Sequence, residues 1–230
     1  MNDHKIIGIA LIVGLLPALL WLWFWLREDK EDPEPRWLLF FTFILGMTTV
    51  IFVLPFEQLA RSKINNPETL TIMWAAAEEL IKYAVVAVLA LRTSYVNKPL
   101  AFPIYFITAA LGFAALENSL FLINPLTLGE TTVGLLTTNL RFLGATLLHS
   151  VCSAMIGISM GLAFYGTWLQ KKIALFVGLL TAIVLHSLFN FFIIRNDGQN
   201  FFSVFGFLWI VTIITMLLFE KLRRMSKLEY

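Results

Sequence analysis

The sequence predicts an all-α fold, a polytopic transmembrane helical bundle of about seven spans. Three observations predict it. Of the 230 residues, 59% are hydrophobic and only 14% charged, well short of the quarter that is usual in a soluble domain. The mean hydropathy is +0.80. Apolar runs long enough to cross a bilayer recur from one end of the chain to the other, separated by short charged or proline-broken loops. The whole of 1–230 reads as one integral membrane domain, with no soluble domain and no internal repeat.

The spans run approximately Ile6–Leu26, Trp37–Val53, Leu70–Leu91, Ala101–Ile123, Leu140–Trp168, Ile173–Ile194 and Phe201–Phe219. The first ends in Trp21, Trp23 and Trp25 and lacks a small-residue cleavage pattern, so it reads as a retained span and not a signal peptide. The second is short and the fifth overlong for a bilayer crossing. Between the first two lies the charged, proline-broken stretch from Arg27 to Arg36. The single cysteine, Cys152, can form no internal disulfide. No basic run interleaved with aromatics is present, so nucleic acid is not expected as a partner. The surroundings are the lipid bilayer.

Lysines and arginines set the expected orientation. One side of the membrane collects Arg27, Lys30, Arg36, Arg92, Lys98, Lys171, Lys172, Lys221, Arg223, Arg224 and Lys227, which is eleven. The other collects Lys5, Arg61, Lys63, Arg141 and Arg195, which is five. That asymmetry predicts a cytoplasmic C-terminus and, with seven spans, an N-terminus outside.

Four spans carry ionisable residues that apolar packing does not explain. The third holds Glu78, Glu79 and Lys82, the fourth Glu117 with Asn118, the fifth His149, and the sixth His186 with Asn190. A charge at helix-centre depth costs roughly 2.5–3.5 kcal/mol, so three within five positions need a cause. An i,i+4 ion pair accounts for Glu78 and Lys82 but leaves Glu79, which projects about 100° away, unexplained. All four groups lie roughly 9–13 Å in from the outer ends of their spans. They therefore share one depth, in the outer half of the bilayer.

Converging carboxylates and imidazoles suit a divalent metal site or a proton-transfer site. Two neutral imidazoles and a carboxylate are a ligand set of hydrolytic zinc, and a further carboxylate beside it can act as general base. His149, His186 and Glu117 are the candidate ligands, with Glu78 and Glu79 as candidate bases. Asn190, one turn beyond His186, can donate to a developing oxyanion. Other uses stay open: a membrane histidine or asparagine also serves as an interhelical hydrogen bond, and Asn118 can bridge helices. Arg141, two turns before His149, either snorkels to the outer surface or holds a carboxylate or substrate carbonyl. A proton- or ion-coupled transporter and a lipid- or prenyl-modifying enzyme are the alternative readings of such a cluster.

The motifs together resemble the PrsW family of intramembrane metalloproteases, related to the type II CAAX prenyl proteases. The likeness rests on Glu78-Glu79-Leu80-Ile81-Lys82 as E-E-x-x-K and on Phe113 to Asn118 as F-x-x-x-E-N. It continues with His149 followed eight residues later by Gly157, and with His186 to Asn190 as H-x-x-x-N. The resemblance implies peptide-bond hydrolysis inside the membrane, with a catalytic core at approximately 70–194. It implies that Glu78 or Glu79 activates water and that Glu117, His149 and His186 bind a divalent metal, expected to be zinc, or orient the water. Asn190 would assist the oxyanion, with Lys82, Asn118 and Arg141 in support. The implied substrate is a single-span membrane protein, such as an anti-sigma factor cut on its extracytoplasmic side, and the implied location is a bacterial plasma membrane. Glu117 stands where the CAAX proteases have a histidine, which argues against prenylated substrates.

Overall fold

The computed structural model describes residues 3–30, 32–129, 144–195 and 201–227. Among these the chain is helical throughout and contains no strand. The helices are α1 (Asp3–Leu26), α2 (Arg36–Lys63), α3 (Pro67–Leu89), α4 (Ala101–Thr127), α5 (Thr146–Leu162), α6 (Trp168–Arg195) and α7 (Phe201–Lys227), with one 3₁₀ turn at Arg27–Asp29. Five of them, α1, α2, α4, α6 and α7, are long and apolar enough to cross a membrane. The 23-residue α3 has the length, but Glu78, Glu79 and Lys82 occupy its middle. The 17-residue α5 is apolar and shorter.

The bundle is built around α4, which is buried without interruption over residues 103–115. Its neighbours are α1, α2 and α5, while α6 covers α3 and α5. Small residues make that centre possible. A Cβ on Gly46 of α2 would collide with the Ala109 carbonyl, and one on Gly112 of α4 with the Phe43 carbonyl, so the two helices touch backbone to backbone. Polar side chains in the core are satisfied locally: Thr42, Thr49 and Thr108 each donate to a carbonyl three or four residues back. At its start α3 is fixed by Asn66, whose side chain accepts the Thr69 N–H at 2.9 Å, with Pro67 pre-set at the first helical position.

Several spans differ in extent from the sequence reading. Helix α4 runs on to Thr127 and α7 to Lys227, past the expected Ile123 and Phe219, and α6 begins at Trp168, ahead of the expected Ile173. The expected end of the second at Val53 is passed without a break, and α2 continues through Pro55 to Lys63. Pro55 costs one backbone hydrogen bond, whereas ending the helix within an apolar environment would strand several. The overlong fifth span divides: α5 stops at Leu162, residues 163–167 turn, and Trp168 already belongs to α6. The expected start of that span at Leu140 lies outside the described residues.

At the ends of α3 and α4 remote from the charged cluster, a second polar group closes the bundle. Lys98, just before α4, reaches Asp29 at 2.9 Å, Asp32 at 3.2 Å and Glu34 at 3.3 Å, and meets the Asp32 backbone carbonyl. Tyr105 donates to Glu34 at 2.7 Å. The loop after α1 is thereby clamped to the start of α4. Burial works against the Lys98 ammonium, yet the carboxylates around it, Asp29 foremost, hold its pKa above the ordinary lysine value. Burial pushes the Glu34 carboxyl above the usual range, against the Tyr105 hydrogen bond and the Lys98 charge.

Candidate active site

A cavity of about 540 Å³ lies between α2, α3, α4, α5 and α6. Helical periodicity supplies its walls. Val50, Val53, Leu54, Glu57, Gln58 and Arg61 form one face of α2, and Thr71, Trp74 and Glu78 one face of α3. Phe113, Glu117 and Phe121 of α4, Leu148 and His149 of α5, and His186, Phe189 and Asn190 of α6 add to the lining.

The polar residues of the four motifs converge here. Lys82 is fully buried and its ammonium lies 2.8 Å from Glu79 Oε1, 2.9 Å from His149 Nδ1 and 3.4 Å from Glu78 Oε2. The same ammonium lies 4.2 Å from the centre of the Phe113 ring. Glu79, also fully buried, accepts from Lys82, from His186 Nδ1 at 2.9 Å and from the Ser153 hydroxyl at 2.8 Å. Glu117 Oε2 stands 3.0 Å from His149 Nε2. The two imidazoles meet edge to face at 5.1 Å. Asn118 donates to the Thr146 hydroxyl at 2.8 Å and so ties α4 to the start of α5. Arg141 lies outside the described residues.

These partners assign the protons. A carboxylate only accepts and an ammonium only donates, so a neutral His149 carries its hydrogen on Nε2, toward Glu117, and offers a bare Nδ1 to Lys82. His186 carries its hydrogen on Nδ1, toward Glu79, and offers a bare Nε2. The bare nitrogens lie 3.7 Å (His149) and 3.8 Å (His186) from one atom, Glu78 Oε2. Glu79 and Glu117 thus hold the rings from behind, while Glu78 faces the two lone pairs. Of the acidic pair only Glu78 lines the cavity.

The donor set fits a divalent metal ion. Glu78, His149 and His186 each offer one ligand atom, all within 4.8 Å of one another. The edge of a tetrahedral site with bonds of 2.0–2.2 Å is about 3.4 Å, close to the 3.7 and 3.8 Å seen here. Carboxylates on the far nitrogens are the supports that metal-bound imidazoles characteristically have.

Three contributors escaped the sequence reading. Glu57 of α2 lines the cavity beside Glu78, in hydrogen-bond contact with it, and near Glu117. Trp74 donates its indole N–H to the Glu57 carbonyl at 3.1 Å and pins that turn of α2 to α3. Ser153 supports Glu79. A signal for Glu57 exists in its helical phase with Val50, Val53 and Leu54, and one for Ser153 in its position one turn beyond His149.

Buried carboxylates and imidazoles around a cavity, in a bundle with five helices long and apolar enough to cross a membrane, mark an integral membrane protein with a polar site inside it. Residues 34–218 match the PrsW family intramembrane metalloproteases, and the chain belongs to that family. Proteins named Protease PrsW share its sequence. That of Oceanobacillus iheyensis (strain DSM 14371 / CIP 107618 / JCM 11309 / KCTC 3954 / HTE831) is 30% identical over 185 residues, 79% of this chain and 81% of that protein. That of Shouchella clausii (strain KSM-K16) is 25% identical over 219 residues, 94% of this chain and 96% of that protein. No solved structure matches the chain. The protein is a membrane peptidase.

Proposed function

We propose that the Glu78–His149–His186 cluster hydrolyses a peptide bond of a single-span membrane protein, such as an anti-sigma factor, on its extracytoplasmic side. The observation that carries this reading is the closeness of the two bare imidazole nitrogens to one atom, Glu78 Oε2, at the wall of a cavity of about 540 Å³. Glu78, His149 and His186 would hold a divalent ion, with zinc the best match to two imidazoles and a carboxylate. When bound, such an ion supplies Lewis acidity, lowering the pKa of a water toward 7 and polarising the scissile carbonyl.

The chain's own residues do the rest. Glu79 and Glu117 fix the ring tautomers, so each imidazole keeps a bare nitrogen near Glu78. The water attacks the carbonyl carbon, and the proton it loses is taken up by the Glu78 oxygen not offered to the ion, with Glu57 and Glu117 beside it. That proton then passes to the nitrogen as the C–N bond breaks. Asn190, on the same wall as His186, donates its amide to the oxyanion. Phe113 and Phe189 keep bulk water from the buried charges. The excess of lysine and arginine on one side supports an outside N-terminus and a cytoplasmic C-terminus, and the family supports residence in a bacterial plasma membrane.

Reconstituted protein with a single-span test substrate decides the matter, the products being mapped by mass spectrometry. The expected result is a cut in the outer half of the substrate's span, lost in His186→Ala. A cut confined to the cytoplasmic half, or one indifferent to His186, overturns the reading.

A further inference from the structure

The ammonium of Lys82 is placed among the very atoms that would hold the ion. It carries three hydrogens and has three close acceptors: Glu79 Oε1 at 2.8 Å, His149 Nδ1 at 2.9 Å and Glu78 Oε2 at 3.4 Å. Two of the three belong to the proposed ligand set. A lysine kept only to neutralise the acidic pair needs nothing from His149, whose Nδ1 is neutral. The hydrogen bond to that nitrogen uses the one lone pair the ring has free, because Nε2–H is committed to Glu117.

We infer that Lys82 is the resident cation of the metal-free site, and that it competes with a divalent ion for His149 Nδ1 and Glu78. This inference rests on the metal reading given above. A ligated Nδ1 cannot also accept a hydrogen bond from Lys82. An ammonium within a few ångströms of a divalent ion is also repelled by it, strongly so where water is excluded. Withdrawal costs the lysine one hydrogen bond to a neutral ring and one long contact, while the short ion pair to Glu79 remains to hold it. Glu79 has a bond from His186 Nδ1 on the same oxygen, so the retreat of Lys82 leaves the second imidazole in place. The site thus keeps its two rings and three carboxylates organised with or without the ion, and the ion's affinity is set against an internal rival.

Cobalt(II) titration of the full chain in detergent tests this without any measurement of activity, because the ion's visible absorption reports its coordination. Lys82→Met and Lys82→Gln are compared with wild type, and His149→Ala marks the site. Lys82→Gln retains a donor toward Glu79, in case the methionine variant fails to fold. The expected result is His149-dependent binding in wild type that tightens about tenfold or more in either variant, the size of effect a neighbouring charge has on a buried site. Binding that depends on His149 but is unchanged or weaker without Lys82 overturns the competition and leaves the metal reading standing. No His149-dependent binding in any of the proteins overturns both. Should neither variant fold, lysine-selective ¹⁵N labelling of wild type serves instead. Zinc must shift the signal of the buried ammonium, and an unmoved signal contradicts the exchange.

Discussion

Glu78 and Glu79 are adjacent in the chain and have opposite duties. Glu79 is enclosed, with three donors on its two oxygens, whereas Glu78 faces the cavity and the bare nitrogens of both histidines. Removing the Glu79 charge therefore strands the buried Lys82 and frees His186 to turn. Glu79→Gln is expected to cost about 3–5 kcal/mol of stability, as a broken buried ion pair does. It should also slow turnover about 10–100-fold through loss of ring orientation. Thermal melts beside initial rates check both numbers. Ser153→Ala, which removes one neutral donor from the same carboxylate, should cost only about 1.5–3 kcal/mol. The motif residues themselves were legible in the sequence, because charge inside an apolar helix stands out. Their division of labour was not: which of two neighbouring carboxylates faces a cavity depends on helix rotation, which tertiary packing sets.

At the scale of elements, the approach of α2 to α4 decides where the cavity opens. Gly46 and Gly112 bring the backbones into contact near Phe43 and Ala109. Further along, Val50, Val53 and Phe113 still pack together, and Leu54 and Glu57 on α2 and Glu117 and Phe121 on α4 line the cavity beside them. A side chain at the contact has only a carbonyl to push against, and a carbonyl in a helix cannot yield. Gly112→Val should thus destabilise by about 3 kcal/mol and displace α2, with the loss of stability visible in denaturant titration of the detergent-solubilised protein. The length of α2 was hidden from the sequence because Pro55, Glu57, Gln58 and Arg61 end its apolar run. Three of those four lie on the cavity face, where polarity belongs to the site and carries no information about where the helix stops.

For the whole molecule, two polar knots are set apart along α4, one facing the cavity and one structural. The Lys98 clamp is the structural one, since it joins the loop after α1 to the start of α4. Lys98→Met leaves Asp29 and Glu34 buried without a cation and should cost about 3 kcal/mol. The folded-state pKa of Lys98 is raised, so its stabilisation is complete below the ordinary lysine value and lost as pH climbs through the folded one. The difference in melting between the two proteins should accordingly be present at neutral pH and shrink in strong alkali. The fold class was legible from composition alone, since apolar runs of bilayer length leave few other architectures. The clamp was not: its partners, Asp29 and Lys98, are far apart in the chain and read as ordinary loop charges.

The central claim is that Glu78, and not the better-buried Glu79, meets the reacting water. The most direct test is the turnover of a single-span substrate by purified Glu78→Gln protein, measured beside its melting temperature. Loss of turnover by about 10²–10⁴-fold with melting close to wild type is the predicted result. Wild-type turnover by a folded Glu78→Gln protein would contradict the account.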